Sequence, residues 1–149
     1  MTIHLSSANL DQLRRNTATK TYTGGASLGQ TGTNATIFTV TGEILVAYLV
    51  PFCTVNLGES GASSNLSLGV TNSTALFIAS TAALDIDAGD LWVDATPTEV
   101  GGVALPATLK DVVITDNILT AHTGVGNTNA GAIRFDLYWL PLSADAAVT

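Results

Sequence analysis

Residues 131–141 read GAIRFDLYWLP, and their alternation decides the fold. Ile133, Phe135, Leu137 and Trp139 occupy every second position, with Arg134, Asp136, Tyr138 and Leu140 between them. Successive side chains of a strand point to opposite faces, so this period of two sets one face into a core and turns the other outward. Pro141 has no N–H to donate and ends the ladder. A long strand here pins the C-terminal part of the chain into a sheet.

Working back from that strand, short apolar runs recur between turn residues. Ala35–Thr41, Glu43–Val50, Phe52–Leu57, Asn65–Thr71, Thr74–Ser80, Asp90–Ala95, Asp111–Thr115 and Ile118–Thr123 each read as a strand, with Pro51 marking a bend between two of them. Asn72-Ser73 and Asp116-Asn117 are candidate tight connections. About eight short strands at spacings near ten residues, with little helical periodicity, predict an all-β fold: a jelly-roll-like β-sandwich over residues 35–149. Residues 1–34 differ in texture. A helical turn is expected around Asn9–Arg15, and TKTYTGGASLGQTGTN (19–34) shows no apolar period. The segment is therefore expected to be an extended N-terminal arm, held by a neighbouring subunit.

Composition points toward association. The chain has 149 residues, enough for one domain burying roughly 70 % of its unfolded surface, and is 46 % hydrophobic but only 11 % charged. Typical soluble domains carry about 25 % charged residues. Small neutral side chains fill the difference, and a neutral surface costs less to desolvate than a charged one. The net charge of −7 is unevenly spread. Arg14, Arg15 and Lys20 face only Asp11 among the first twenty residues, which net +2, while two basic and eleven acidic residues leave the remainder at −9. An acidic body lacks the basic footprint of a nucleic-acid binder. No secretory leader is read in MTIHLSSANLDQLRR, and the apolar run Ile44–Val55 is too short to span a bilayer. The three Asn-x-Ser/Thr matches at Asn34, Asn65 and Asn72 are then products of a Thr- and Asn-rich composition.

Candidate chemistry is sparse. Cys53 is the only cysteine, lies in an apolar run and reads as a small core residue. Asp85, Asp87 and Asp90 resemble half of a calcium loop, but Gly89 falls at position 5 and Thr96 at position 12, so the register fails. His4 and His122 are far apart without supporting ligand spacing, and no G-x-S-x-G elbow is present. Glycoside hydrolysis would need two carboxylates about 5–9 Å apart beside aromatic subsites, and the chain has few aromatic residues to line them. Gly124-Val-Gly126 opens no helix, so it is not a phosphate cradle. No catalytic, metal or cofactor residues are assigned. The residues expected at an interface are Arg14, Arg15, Lys20, Tyr22, Trp92 and Tyr138: cations of the basic segment and aromatics of the kind enriched in contacts. Because Tyr138 and Trp139 are adjacent, one of them faces the core and the other faces out.

AGDLWVDATP (88–97), VGGVALPATLKDVVIT (100–115) and GAIRFDLYWLPLSADAAV (131–148) resemble small structural proteins of tailed-bacteriophage virions. The resemblance spans about residues 35–148 and rests on fold patterns rather than active-site motifs. It implies a non-enzymatic virion subunit on the capsid surface, a capsid decoration (cement) or head-fibre protein. Such a subunit would be homotrimeric and bound to the major capsid protein or other virion subunits, with no nucleic acid, membrane or cofactor. A carbohydrate- or receptor-binding module of a tail or fibre is the alternative, using Trp92 or Tyr138 in a groove. A small hydrolase would require converging carboxylates or a His–Asp pair.

Overall fold

A computed structural model describes residues 12–99 and 101–149. Ten strands run through them: β1 (Arg14–Thr21), β2 (Asn34–Phe38), β3 (Val40–Thr41), β4 (Ile44–Glu59), β5 (Ser64–Val70), β6 (Ser73–Ala82), β7 (Lys110–Ile114), β8 (Ile118–Gly124), β9 (Thr128–Pro141) and β10 (Ala147–Val148). The first sheet has the order β1-β9-β4-β7 and the second β2-β8-β5-β6, with every pairing antiparallel. A two-stranded ribbon of β3 and β10 accompanies them.

The alternating stretch is the inner strand β9. It pairs with β4 from Ile44↔Pro141 to Glu59↔Thr128, and with β1 from Arg14↔Trp139 to Thr21↔Ala132. Ile133, Phe135, Leu137 and Trp139 are all buried, together with Ile44, Val46, Leu49, Cys53 and Leu57 of β4. Phe38, Leu66, Leu68, Val70, Phe77, Ile78 and Ile118 of the second sheet belong to the same core cluster. Two sheets sharing one apolar layer make the molecule a β-sandwich. Between consecutive long strands the chain crosses from one sheet to the other at every connection except the β5–β6 hairpin.

Pro51 does not break β4, which runs through it for 16 residues. Within a strand, the N–H and C=O of one residue point to the same side. The Pro51 carbonyl accepts from Trp92 N at 3.1 Å, so its missing N–H faces residues 86–92 and costs no bond to β9. Bending is taken up instead by register shifts at Val46/Tyr48 and Cys53/Val55. Gly131 permits another close approach: at φ 100°, a Cβ there would lie 2.5 Å from the Asn56 carbonyl and from Leu57 Cδ2.

Four expectations need correction. The arm assigned to residues 1–34 is not an arm from Arg14 onward, because β1 is an edge strand bonded to β9 along its whole length. Its polar sequence RRNTATKT shows no apolar period because it lies at the sheet edge, where only Ala18 packs against the core. The helical turn expected at Asn9–Arg15 lies outside the described residues up to Asp11, and Arg14 and Arg15 are strand. Asp90–Ala95 is not a strand; only Leu91 makes isolated bridges, to Phe52 and Thr98. There Trp92 and Val93 are buried by a loop that tucks under the sandwich edge. The Asp116-Asn117 turn is real in position but joins the two sheets rather than a hairpin.

Because Phe135 is fully buried at the centre of the first sheet, Phe135→Ala is expected to cost about 3–5 kcal/mol of folding stability, read from urea denaturation. A loss below about 1 kcal/mol would mean that β9 does not carry the core.

Candidate functional site

The outward face of the first sheet follows from the same alternation. Residues of β9 that miss the core meet their counterparts on β4 in cross-strand rows: Leu140 with Leu45, Tyr138 with Tyr48, Asp136 with Val50, Arg134 with Phe52. Val113 of β7 extends the first row beside Leu45, and Arg15, Thr17 and Thr19 of β1 extend the other three. Tyr48, Val55 and Val113 are 41 %, 55 % and 53 % exposed, while Leu45 and Leu140 are buried yet lie outside the core cluster. The result is an apolar, aromatic surface with no layer over it among the described residues.

Its centre is one carboxylate. Asp136 Oδ1 accepts from Arg15 Nη2 at 2.8 Å and Thr17 Oγ1 at 2.8 Å, and Oδ2 accepts from Arg134 Nε at 2.9 Å. Burial would raise its pKa, but the bonds from Arg15, Thr17 and Arg134 outweigh that and hold it below the ordinary carboxylate value. The two guanidinium groups then lie over rings, Arg15 5.7 Å from the Tyr138 centroid and Arg134 5.1 Å from that of Phe52. Tyr138 meets Tyr48 edge-on with centroids 6.3 Å apart. The six side chains Phe52, Arg134, Asp136, Arg15, Tyr138 and Tyr48 thus form one continuous run. Arg and Tyr held in place by neighbours lose little freedom when a partner covers them, which favours binding.

The expected interface residues divide. Arg15 and Tyr138 belong to this face. Arg14 is exposed at the β1 edge, its guanidinium 5.1 Å from the Trp139 ring, and Lys20 is half-buried opposite Ile133. Tyr22 and Trp92 are not available for contact, being 1 % and 0 % exposed. Trp92 Nε1 donates to Thr81 Oγ1 at 3.0 Å, which anchors the loop on the sandwich, and Tyr22 OH shares a 3.0 Å hydrogen bond with Thr120 Oγ1. Tyr48, Phe52, Val113, Arg134 and Asp136 were absent from the sequence assignment. The signal that could have found them is the Arg134-x-Asp136 pair, opposite charges two positions apart on the non-core side of a strand.

Other candidate groups serve the fold. Cys53 is buried, its thiol pushed up to about 11 by burial, so it remains protonated at neutral pH. Asp90 Oδ2 accepts from Asp87 N at 2.9 Å, a turn contact. Among the described residues no group of three or more His, Cys, Asp or Glu could hold a metal ion, and no helix is long and apolar enough to cross a membrane. His122 is 1 % exposed, its Nε2 3.1 Å from Thr120 Oγ1 and its ring edge-on to Tyr22, while Nδ1 has no hydrogen-bond partner.

Burial lowers the His122 pKa from 6.5 to about 4. The unfolded chain therefore binds a proton that the folded chain refuses between these values, and stability falls as pH drops from about 6.5 toward 4. The full effect is of the order of 3 kcal/mol. His122→Gln is expected to flatten the pH dependence of the melting temperature in that window, and an unchanged slope would exclude His122 as its source. Asp136→Asn replaces an acceptor by a donor facing Arg134 and is expected to cost about 1–2 kcal/mol, with both arginines able to turn to solvent. Thermal melts at pH 7 measure it. No family model, curated protein or solved structure matches the chain.

Proposed function

We propose that this chain is a structural subunit of a virion, a non-enzymatic capsid decoration protein that stabilises the head by binding neighbouring capsomers of the major capsid protein, as a homotrimer. The observation that carries the proposal is the outward face of the first sheet, where exposed Tyr48, Val55 and Val113 share one face with the Arg15–Asp136–Arg134 clamp. A partly apolar, pre-ordered surface of this kind suits contact with another protein better than turnover of a small molecule. Repeated over many equivalent lattice sites, modest contacts add into firm attachment.

The jelly-roll reading of the sandwich draws support from its strand order. Counting only the eight long strands in chain order, one sheet runs 1-8-3-6 and the other 2-7-4-5, with a single hairpin between strands four and five. That interleaving of two Greek keys is shared by capsid proteins and lectins, so it bears on fold and not on role. The glycan-binding alternative drew on Trp92 and Tyr138, and the enclosure of Trp92 removes half of its basis.

The test uses heads purified without the subunit, to which full-length protein is added and co-sedimentation measured. Wild-type protein is expected to bind. Val113→Asp and Tyr48→Asp, both exposed positions, are expected to keep the melting temperature and lose at least tenfold in affinity, since a central aromatic contact contributes about 2 kcal/mol or more. Wild-type protein that stays in the supernatant, or variants that bind equally well, would overturn the assignment.

A further inference from the structure

All five Lys and Arg residues belong to one sheet: Arg14, Arg15 and Lys20 on β1, Lys110 on β7 and Arg134 on β9. Three of them therefore sit on one edge strand, which pairs with β9 on one side and with no other strand among the described residues. Arg15 is engaged by Asp136, whereas Arg14 and Lys20 take part in no ion pair among the described residues.

The opposite edge of the same sheet has the reverse sign. β7 covers β4 only from Ile44 to Tyr48. Beyond that, residues 86–92 line the free side of β4. Trp92 N donates to Pro51 O at 3.1 Å, Cys53 N to Asp90 O and Gly89 N to Cys53 O at 2.9 Å, and Leu57 N to Ile86 O at 3.1 Å. Leu91 N donates to Thr98 O at 3.2 Å, which folds residues 94–99 back outside them. The segment 85–99 contains Asp85, Asp87, Asp90, Asp94 and Glu99 and no Lys or Arg. Asp85, Asp87, Asp94 and Glu99 are exposed, and none joins an ion pair among the described residues. Lys110 and Asp111 at the start of β7 offset one another.

One molecule thus carries a basic strip and an acidic strip on opposite edges of a sheet, about 14 Å apart across three strand spacings. The two strips cannot meet within the chain, but they can meet between chains. We propose that the β1 edge of one copy docks against the 85–99 segment of the next, a head-to-tail contact that joins copies into a closed ring. Such a heterologous contact uses two different patches of each subunit and closes when the rotation between copies permits. The ring's use rests on the proposed role in an assembly, but the contact itself needs no capsid. It leaves the outward face of the first sheet free for a different partner.

Sedimentation velocity on the full-length chain tests this directly. At about 0.05 M salt the mass is expected to be a multiple of 15.2 kDa, falling toward the monomer at about 0.5 M as screening shortens the reach of exposed charges. Arg14→Glu with Lys20→Glu is expected to give monomers at low salt. So is Asp85→Lys with Asp87→Lys and Glu99→Lys, a set that avoids the turn-forming Asp94 and the buried Asp90. The chain carrying both sets has its signs exchanged and is expected to regain the wild-type mass, which separates a charge-paired contact from mere unfolding. A wild-type chain that is monomeric at low salt would mean that the β1 cations only guard an edge strand against aggregation, and the proposal fails. It fails equally if single-sided reversals leave the oligomer intact. Val113→Asp and Tyr48→Asp are expected to keep the wild-type mass, so a wild-type chain that forms the oligomer yet fails to bind heads counts against the functional assignment alone.

Discussion

The pairing of β9 with β4 on one side and β1 on the other holds the first sheet together. Twelve residues of β4 and eight of β1 find their partners along it. Its inner side chains, Ile133, Phe135, Leu137 and Trp139, supply the layer against which the second sheet packs. Its outer side chains, Arg134, Asp136 and Tyr138, organise the exposed face. Since a slip by one residue would exchange these two sets, the register of a single strand governs core and surface together.

On the surface, the decisive element is a carboxylate kept ionised in a largely covered position. Asp136 is 7 % exposed and would be costly to hold there alone. Two guanidinium groups and a threonine hydroxyl offset that cost, and each guanidinium in turn lies over an aromatic ring. The arrangement spends three charges to make a patch that is less charged in effect than its sequence implies.

Much of this architecture was legible in the chain, and the failures have physical causes. The strand over 131–141 was readable because burial on one face imposes a period of two, and Ile133 to Trp139 obey it. β1 was not, because an edge strand buries so little that RRNTATKT carries no hydrophobic signature. The run Leu91-Trp92-Val93 misled in the opposite direction, as three apolar residues in sequence satisfy a tucked loop as well as a strand. Tyr22 and Trp92 were assigned outward because aromatic identity says nothing of depth; each is buried with its polar atom satisfied by a threonine. Arg15 and Tyr138 could be singled out from charge and position, but their link through Asp136 joins residues over a hundred positions apart and exists only in the folded sheet.

The strand order carries a consequence for biogenesis. β1 and β4 do not touch one another in the first sheet; each is bonded to the strand spanning Thr128–Pro141. A nascent chain that has emerged only as far as β8 therefore holds two long ladders' worth of unsatisfied backbone and half of an apolar layer. It must wait for the final segment before closure. Contacts so distant in sequence make formation slow and expose the growing polypeptide to wrong pairings. Among the described residues the β5–β6 hairpin is the one pairing of long strands adjacent in sequence, and it is the natural place for order to begin.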